Sequence, residues 1–133
     1  MQQEVFDILD KFGTYHIASV DADGKPHVRP FGSKMILDGK FYISCSLPKN
    51  VYNQLSANGA TEISACGQGM EWLRINATAR EVTDPAEKQK VYDNSFYAAP
   101  ESRMKREIDT VAFFELTNVL ATLYGQEQKE YKW

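Results

Sequence analysis

The chain has 133 residues, 43% of them apolar and 25% charged, the profile of one globular domain long enough for a proper core. Fifteen Lys and Arg against eighteen Asp and Glu give a net charge of −3 with no basic block, which leaves no electrostatic footprint for nucleic acid. No apolar run approaches the ~20 residues of a membrane span, and the opening Met1-Gln2-Gln3-Glu4-Val5 lacks the basic and apolar regions of a signal peptide, so a cytoplasmic single domain over residues 1–133 is expected.

Val5, Ile8, Leu9 and Phe12 fall on one helical stripe with Gly13 behind them, so residues 2–12 read as a short amphipathic helix. Thr14 to Val20 is β-branched and aromatic enough for a strand, and Asp21 to Gly24 turns the chain. Pro26 to Leu37 reads as a second strand whose Pro30 and Gly32 point to an edge or a bulge. Asp38-Gly39, between Met35–Leu37 and Phe41–Ile43, is the strongest hairpin signal. Phe41, Ile43 and Cys45 alternate with Tyr42, Ser44 and Ser46 as a third strand. The period then changes: Val51 and Leu55 fall four apart, and residues 48–57 read as a helix with Ser46 as a candidate N-cap and Asn58-Gly59 as its stop.

Thr61 to Cys66 makes a fourth strand and Glu71 to Val82 a fifth, with Leu73, Ile75, Ala77 and Ala79 on one face and Trp72, Arg74, Asn76, Thr78 and Arg80 on the other. Asp84-Pro85-Ala86-Glu87 starts a helix as N-cap, N1 proline and capping-box acid, from which Val91, Tyr92 and Phe96 face inward. Pro100 breaks that run, a charged turn or helix follows over 101–107, and Thr110 to Tyr124 is a long last strand before the tail at Glu130–Trp133. Six strands, hairpin turns and few helices predict a mainly β domain with flanking helices, a six-stranded antiparallel barrel.

The functional signal lies where the third strand meets the second helix. A helix start carries roughly half a positive charge, so Lys49 there calls for an anion. Free N–H groups, the Ser46 hydroxyl and Lys49 make a phosphate-sized corner, the alternative being a lysine that points into water. Arg29 lies within reach if the strands pair; otherwise it forms a surface ion pair with Asp21 or Asp23. Trp72 and Arg74 share a face suited to a flat polar ring, or Trp72 closes the barrel end. His16 and His27 have neither metal-ligand spacing nor a neighbouring nucleophile motif, and Cys45 and Cys66 share no CxxC, so no metal ligand and no catalytic side chain is named.

Taken together, Gly13-Thr14-Tyr15 with Ala18-Ser19-Val20, the run Pro26-His27-Val28-Arg29-Pro30-Phe31, Phe41-Tyr42-Ile43 with Lys49-Asn50-Val51, Glu62-Ile63-Ser64 and Glu71-Trp72-Leu73-Arg74 resemble the pyridoxamine 5′-phosphate oxidase-like superfamily. Within it, the flavin-binding group related to nitroimidazole-resistance reductases fits best. The resemblance spans almost the whole chain. It implies a split β-barrel and a homodimer with FMN at the subunit interface. By position, Val28, Arg29, Pro30 and Phe31 run beside the isoalloxazine ring. Arg29, Ser46, Lys49 and Asn50 hold the phosphate or ribityl chain, and Ser44 and Cys45 belong to the same set. Trp72 and Arg74 approach from the partner subunit or the barrel lip. Cys45 and Pro48 stand where relatives often carry Thr or Ser, and Asn76-Ala77 where a small residue followed by Gly is usual. The arginine–histidine signature of true pyridoxamine-phosphate oxidases is absent from the C-terminus. The implied activity is an FMN-dependent oxidoreductase taking reducing equivalents from a reduced nicotinamide and passing them to a small electron-poor acceptor such as a nitroaromatic or quinone. The alternatives are a flavin carrier or stress-response protein without turnover, and a haem-binding relative with His16 or His27 as ligand.

Overall fold

The computed structural model describes all residues 1–133. Helix α1 (Gln2–Phe12) precedes strands β1 (Tyr15–Val20), β2 (Pro26–Phe31), β3 (Met35–Leu37) and β4 (Lys40–Ser46). Helix α2 (Asn50–Ala57), strands β5 (Ala60–Cys66) and β6 (Trp72–Glu81) and helix α3 (Pro85–Asp93) follow, and β7 (Val111–Tyr124) and β8 (Lys129–Lys132) complete the chain. Every strand pairing is antiparallel, in the order β2-β1-β5-β6-β7-β4-β3, with β8 added to β7. The predicted class, a mainly β antiparallel split barrel with flanking helices, is the one observed. The strand count is eight rather than six.

Two departures account for the extra strands. The expected strand over 26–37 breaks at Gly32–Lys34, and its halves pair with different neighbours: β2 with β1, and β3 with β4. They form the two ends of the hydrogen-bonded sheet, so the barrel is open along a seam within one continuous stretch of chain. The tail, given no element in the sequence reading, pairs with β7. Val119 and Trp133 exchange N–H···O bonds in both directions (2.7 and 3.2 Å), and the Trp133 indole donates to the Leu116 carbonyl (3.2 Å).

Long β7 makes this bookkeeping work. Its first residues pair with β4 and its later ones with β6, which bends the sheet around a core of Ile17, Phe41, Ile43, Ile63, Leu73, Ile75, Phe114 and Leu116, closed at one end by Val5 and Leu9 of α1. Fully burying one such side chain stabilises by about 1.5–3 kcal/mol. A smaller cluster, including Tyr42, Val91, Tyr97 and Phe113, lies beneath α3, so β4 is buried on both faces. Strand β6 alternates as expected through Ile75. A register shift between Asn76 and Thr78 then takes Ala77 out of the fully buried series.

Candidate functional site

Strand β4 delivers the chain to the site. Its pairing runs past Ser46, since the Leu47 N–H donates to the Thr110 carbonyl (2.8 Å), and Lys49 is still extended (φ −139°, ψ 148°). Helix α2 therefore begins at Asn50, two residues later than expected. Lys49 is its N-cap and Ser46 is the last residue of a strand. The correction has a local cause: the residue before a proline is pushed out of helical conformation, so Leu47-Pro48 cannot open the helix. No side chain caps α2. Its first N–H groups are thus free to meet an anion, with the exposed Lys49 ammonium beside them and no ion pair to occupy it.

These groups line a cavity of about 640 Å³, within the ordinary range for ligand pockets. Of the eleven residues singled out in the sequence, Arg29, Pro30, Phe31, Ser44, Cys45, Ser46, Lys49 and Asn50 form its wall. Three do not. Val28 is 67% exposed on the other face of edge strand β2. Trp72 stacks on Tyr124 (centroids 4.2 Å apart), while Arg74 lies over the Trp72 ring (5.0 Å) and pairs with Glu62 (3.0 Å). That aromatic pair lies away from this chain's own cavity.

Arg29 takes neither of the carboxylates open to it. Asp21 instead accepts from His27 (2.8 Å), a contact that holds its carboxyl below the usual range together with backbone donors. The Arg29 guanidinium donates to the Ser19 hydroxyl (2.7 Å), to Gln54 Oε1 of α2 (2.9 Å) and, at longer range, to the Ile17 carbonyl (3.4 Å). All three are neutral, and they leave part of the guanidinium fork free. Partial burial without a counter-ion lowers the Arg29 pKa, the expected cost of holding an uncompensated cation beside a cavity. Cys45, on the floor, is buried, and that burial pushes its thiol up to about 11. The lining contains no histidine and no carboxylate.

The sequence reading missed the opposite wall. Gly32, Ser33 and Val51 adjoin residues already named, but Phe96, Tyr97 and Met104 come from the segment after α3. Phe96 was expected to face the core from a helix. The helix ends at Asp93, the chain turns, and Tyr97 takes the buried position while Phe96 is left 37% exposed. The usable signal was the pair of adjacent aromatics just ahead of Pro100, which a turn must split between core and surface. Neither His16 nor His27 lines the cavity.

An open antiparallel barrel with a cation-lined pocket at its seam is a split β-barrel. The family model described as pyridoxamine 5′-phosphate oxidase matches residues 1–120. The chain belongs to that family, and with it to a superfamily of flavin-related oxidoreductases. Among solved structures, it is similar to a NimC/NimA family protein of Clostridium acetobutylicum at 22% identity, with TM-score 0.81 and coverage of 98% of this chain and 92% of that one. General Stress Protein 26 of Bacillus anthracis aligns at 15% identity over 98% of each chain (TM-score 0.64), and an F420 reductase at 19% identity over 83% of this chain and 89% of that one (TM-score 0.59). At these identities the likeness is one of fold. No curated protein matches the chain.

Proposed function

We propose that the chain binds FMN in this cavity and acts, as a homodimer, as an oxidoreductase that passes reducing equivalents from a reduced nicotinamide to a small electron-poor acceptor such as a nitroaromatic or quinone. One observation carries the reading: Lys49, Arg29 and the uncapped start of α2 converge on one cavity, and no carboxylate of the chain neutralises either cation. A phosphate monoester brings about −1.5 to −2 charges near neutral pH, and a helix terminus supplies roughly +0.5. One cation with the helix terminus matches only the lower figure, and Lys49 and Arg29 together cover the full dianion. Lys49 meets the ester as a point charge, while Ser46 and Asn50 add neutral donors beside it. Arg29, held by Ser19 and Gln54, keeps its position without a ligand. Phe31 and Pro30 offer the flat apolar surface that a ring system needs.

When bound, FMN supplies the hydride or electron transfer, and the protein's part is binding, orientation and exclusion of water. Trp72 and Arg74, remote from the cavity of their own chain, would serve a flavin only from the partner subunit. The acceptor class rests on the family resemblance read from the sequence. Titration of the flavin-free protein with FMN, followed by quenching of flavin fluorescence, tests the site. Lys49→Ala and Arg29→Ala are each expected to weaken binding roughly tenfold to a hundredfold. Affinity equal to the parent's in both variants would remove the phosphate from this corner. A second reading, a flavin carrier without turnover, is favoured by a lining that holds neither histidine nor carboxylate. Steady-state oxidation of reduced nicotinamide with nitro and quinone acceptors separates the two.

A further inference from the structure

Three hydroxyls form a chain in the wall of the cavity away from Lys49. Ser33 Oγ lies 2.6 Å from Ser44 Oγ, and Ser44 Oγ lies 3.0 Å from the Tyr97 hydroxyl. All three residues line the cavity. The Ser44 N–H donates to Ser33 Oγ (2.7 Å), and the Tyr15 hydroxyl donates to the Ser33 carbonyl, so Ser33 is held by its own backbone and by its neighbours. Each hydroxyl carries one proton to donate. The chain has three such protons and two hydroxyl-to-hydroxyl contacts, so one proton has no acceptor within it. When Ser33 donates to Ser44 and Ser44 to Tyr97, the surplus donor is the phenol. Tyr97 is 4% exposed and lines the cavity. A buried donor without an acceptor is costly, and a ligand oxygen removes that cost.

The surroundings narrow the ligand further. Phe96 stacks on the Tyr97 ring (centroids 4.4 Å apart, planes 29°) and is itself 37% exposed at the cavity, and Met104, 47% exposed, lies at the same lip. A flat apolar body fits against Phe96 and Met104, with an acceptor oxygen directed at the phenol. We infer that Tyr97 is a specificity-determining donor, fed through Ser44 and Ser33, and that it selects a compact aromatic ligand carrying a hydrogen-bond-accepting oxygen. This rests on the flavin reading in one respect: the ligand is the electron acceptor of the FMN-loaded protein. Burial pushes the phenol's pKa up, which keeps it protonated and able to donate.

The test pairs ligands that differ only in the oxygen: acetophenone and its oxygen-free counterpart ethylbenzene, titrated into FMN-loaded protein by ligand-observed NMR. The parent is expected to prefer acetophenone by about tenfold, the equivalent of one net hydrogen bond. Tyr97→Phe should abolish the preference. A parent that does not distinguish the two ligands, or a Tyr97→Phe variant that still does, overturns the inference. A measurement on the parent alone covers the case in which the variant does not fold. With tyrosine labelled at Cζ, one of the seven tyrosine resonances should move with acetophenone and none with ethylbenzene; no movement also overturns it. Failure of the parent to bind FMN would defeat the flavin reading, and the same pair titrated into flavin-free protein would still decide the role of Tyr97.

Discussion

Ion pairs anchor one set of charged side chains to the fold, while the two cations of the cavity have none. Arg80 donates to Glu115 (2.6 Å) and Glu87 (2.9 Å), and Glu87 also accepts from the Tyr42 hydroxyl (2.9 Å). For Glu87, desolvation alone would raise the pKa, but the Arg80 and Tyr42 hydrogen bonds outweigh it and hold the carboxyl below its usual range. The stability it contributes is therefore present above the unfolded-state value of about 4.3 and lost as pH falls through the lower folded-state value. The thermal midpoint of Glu87→Gln should accordingly lie below the parent's at neutral pH, and the gap should close in acid. A gap constant from pH 7 to pH 3 would mean that the group folds unperturbed. Arg29 and Lys49 show the opposite pattern, cations left to a ligand. The two cysteines divide in the same way. The buried Cys45 thiol, pushed up to about 11, should resist alkylation near neutral pH, whereas exposed Cys66 should react. One thiol modified in the folded protein and two after denaturation is the expected count by mass spectrometry.

Among the elements, local chemistry was readable wherever a single residue type answers a single backbone demand. Asp38 and Gly39 adopt positive φ (51° and 75°) in the hairpin their sequence announced. Asp84 caps α3 by accepting the Glu87 N–H (2.9 Å). The Glu87 side chain, expected to reach back in a capping box, turns instead to Arg80 at the end of β6 and to the Tyr42 hydroxyl of β4. The same limit explains β8, whose Lys, Glu and Tyr residues carry no strand pattern of their own and which forms only by pairing with β7. Eight of the cavity residues were legible because they lie on β2, on β4 and at a helix start, close together in the chain. The wall bearing Phe96 and Tyr97 was not, since it depends on how a turn after α3 folds back. Close approach constrains one glycine in particular: a Cβ at Gly59 would come within 2.6 Å of the Ala79 carbonyl oxygen, a backbone atom with no freedom to yield. Gly59→Ala should lower the unfolding free energy by about 1–3 kcal/mol in urea denaturation, and an unchanged midpoint would show that the β5–β6 contact is slack.

For the molecule as a whole, the exposed edge of β2 is the feature a single chain leaves unresolved. Val28 is 67% exposed there, on a strand whose outer side has no partner in the sheet. The proposed homodimer predicts a sedimentation-equilibrium mass twice that of the chain at micromolar concentration. A monomer would leave Trp72 and Arg74 with no flavin to approach.

The seam adds a mechanical consequence. Both margins of the sheet, β2 and β3, belong to one stretch of backbone that parts at Gly32–Lys34, and the pocket wall includes Gly32 and Ser33 from that gap together with Ser44 to Ser46 of the strand beside β3. A molecule lodged there works as a clasp. It grips β2 on one side and β4 on the other, strands that do not pair, so filling the pocket should slow amide deuteration along β2 and across Gly32–Lys34 together, far more than in the middle of the sheet.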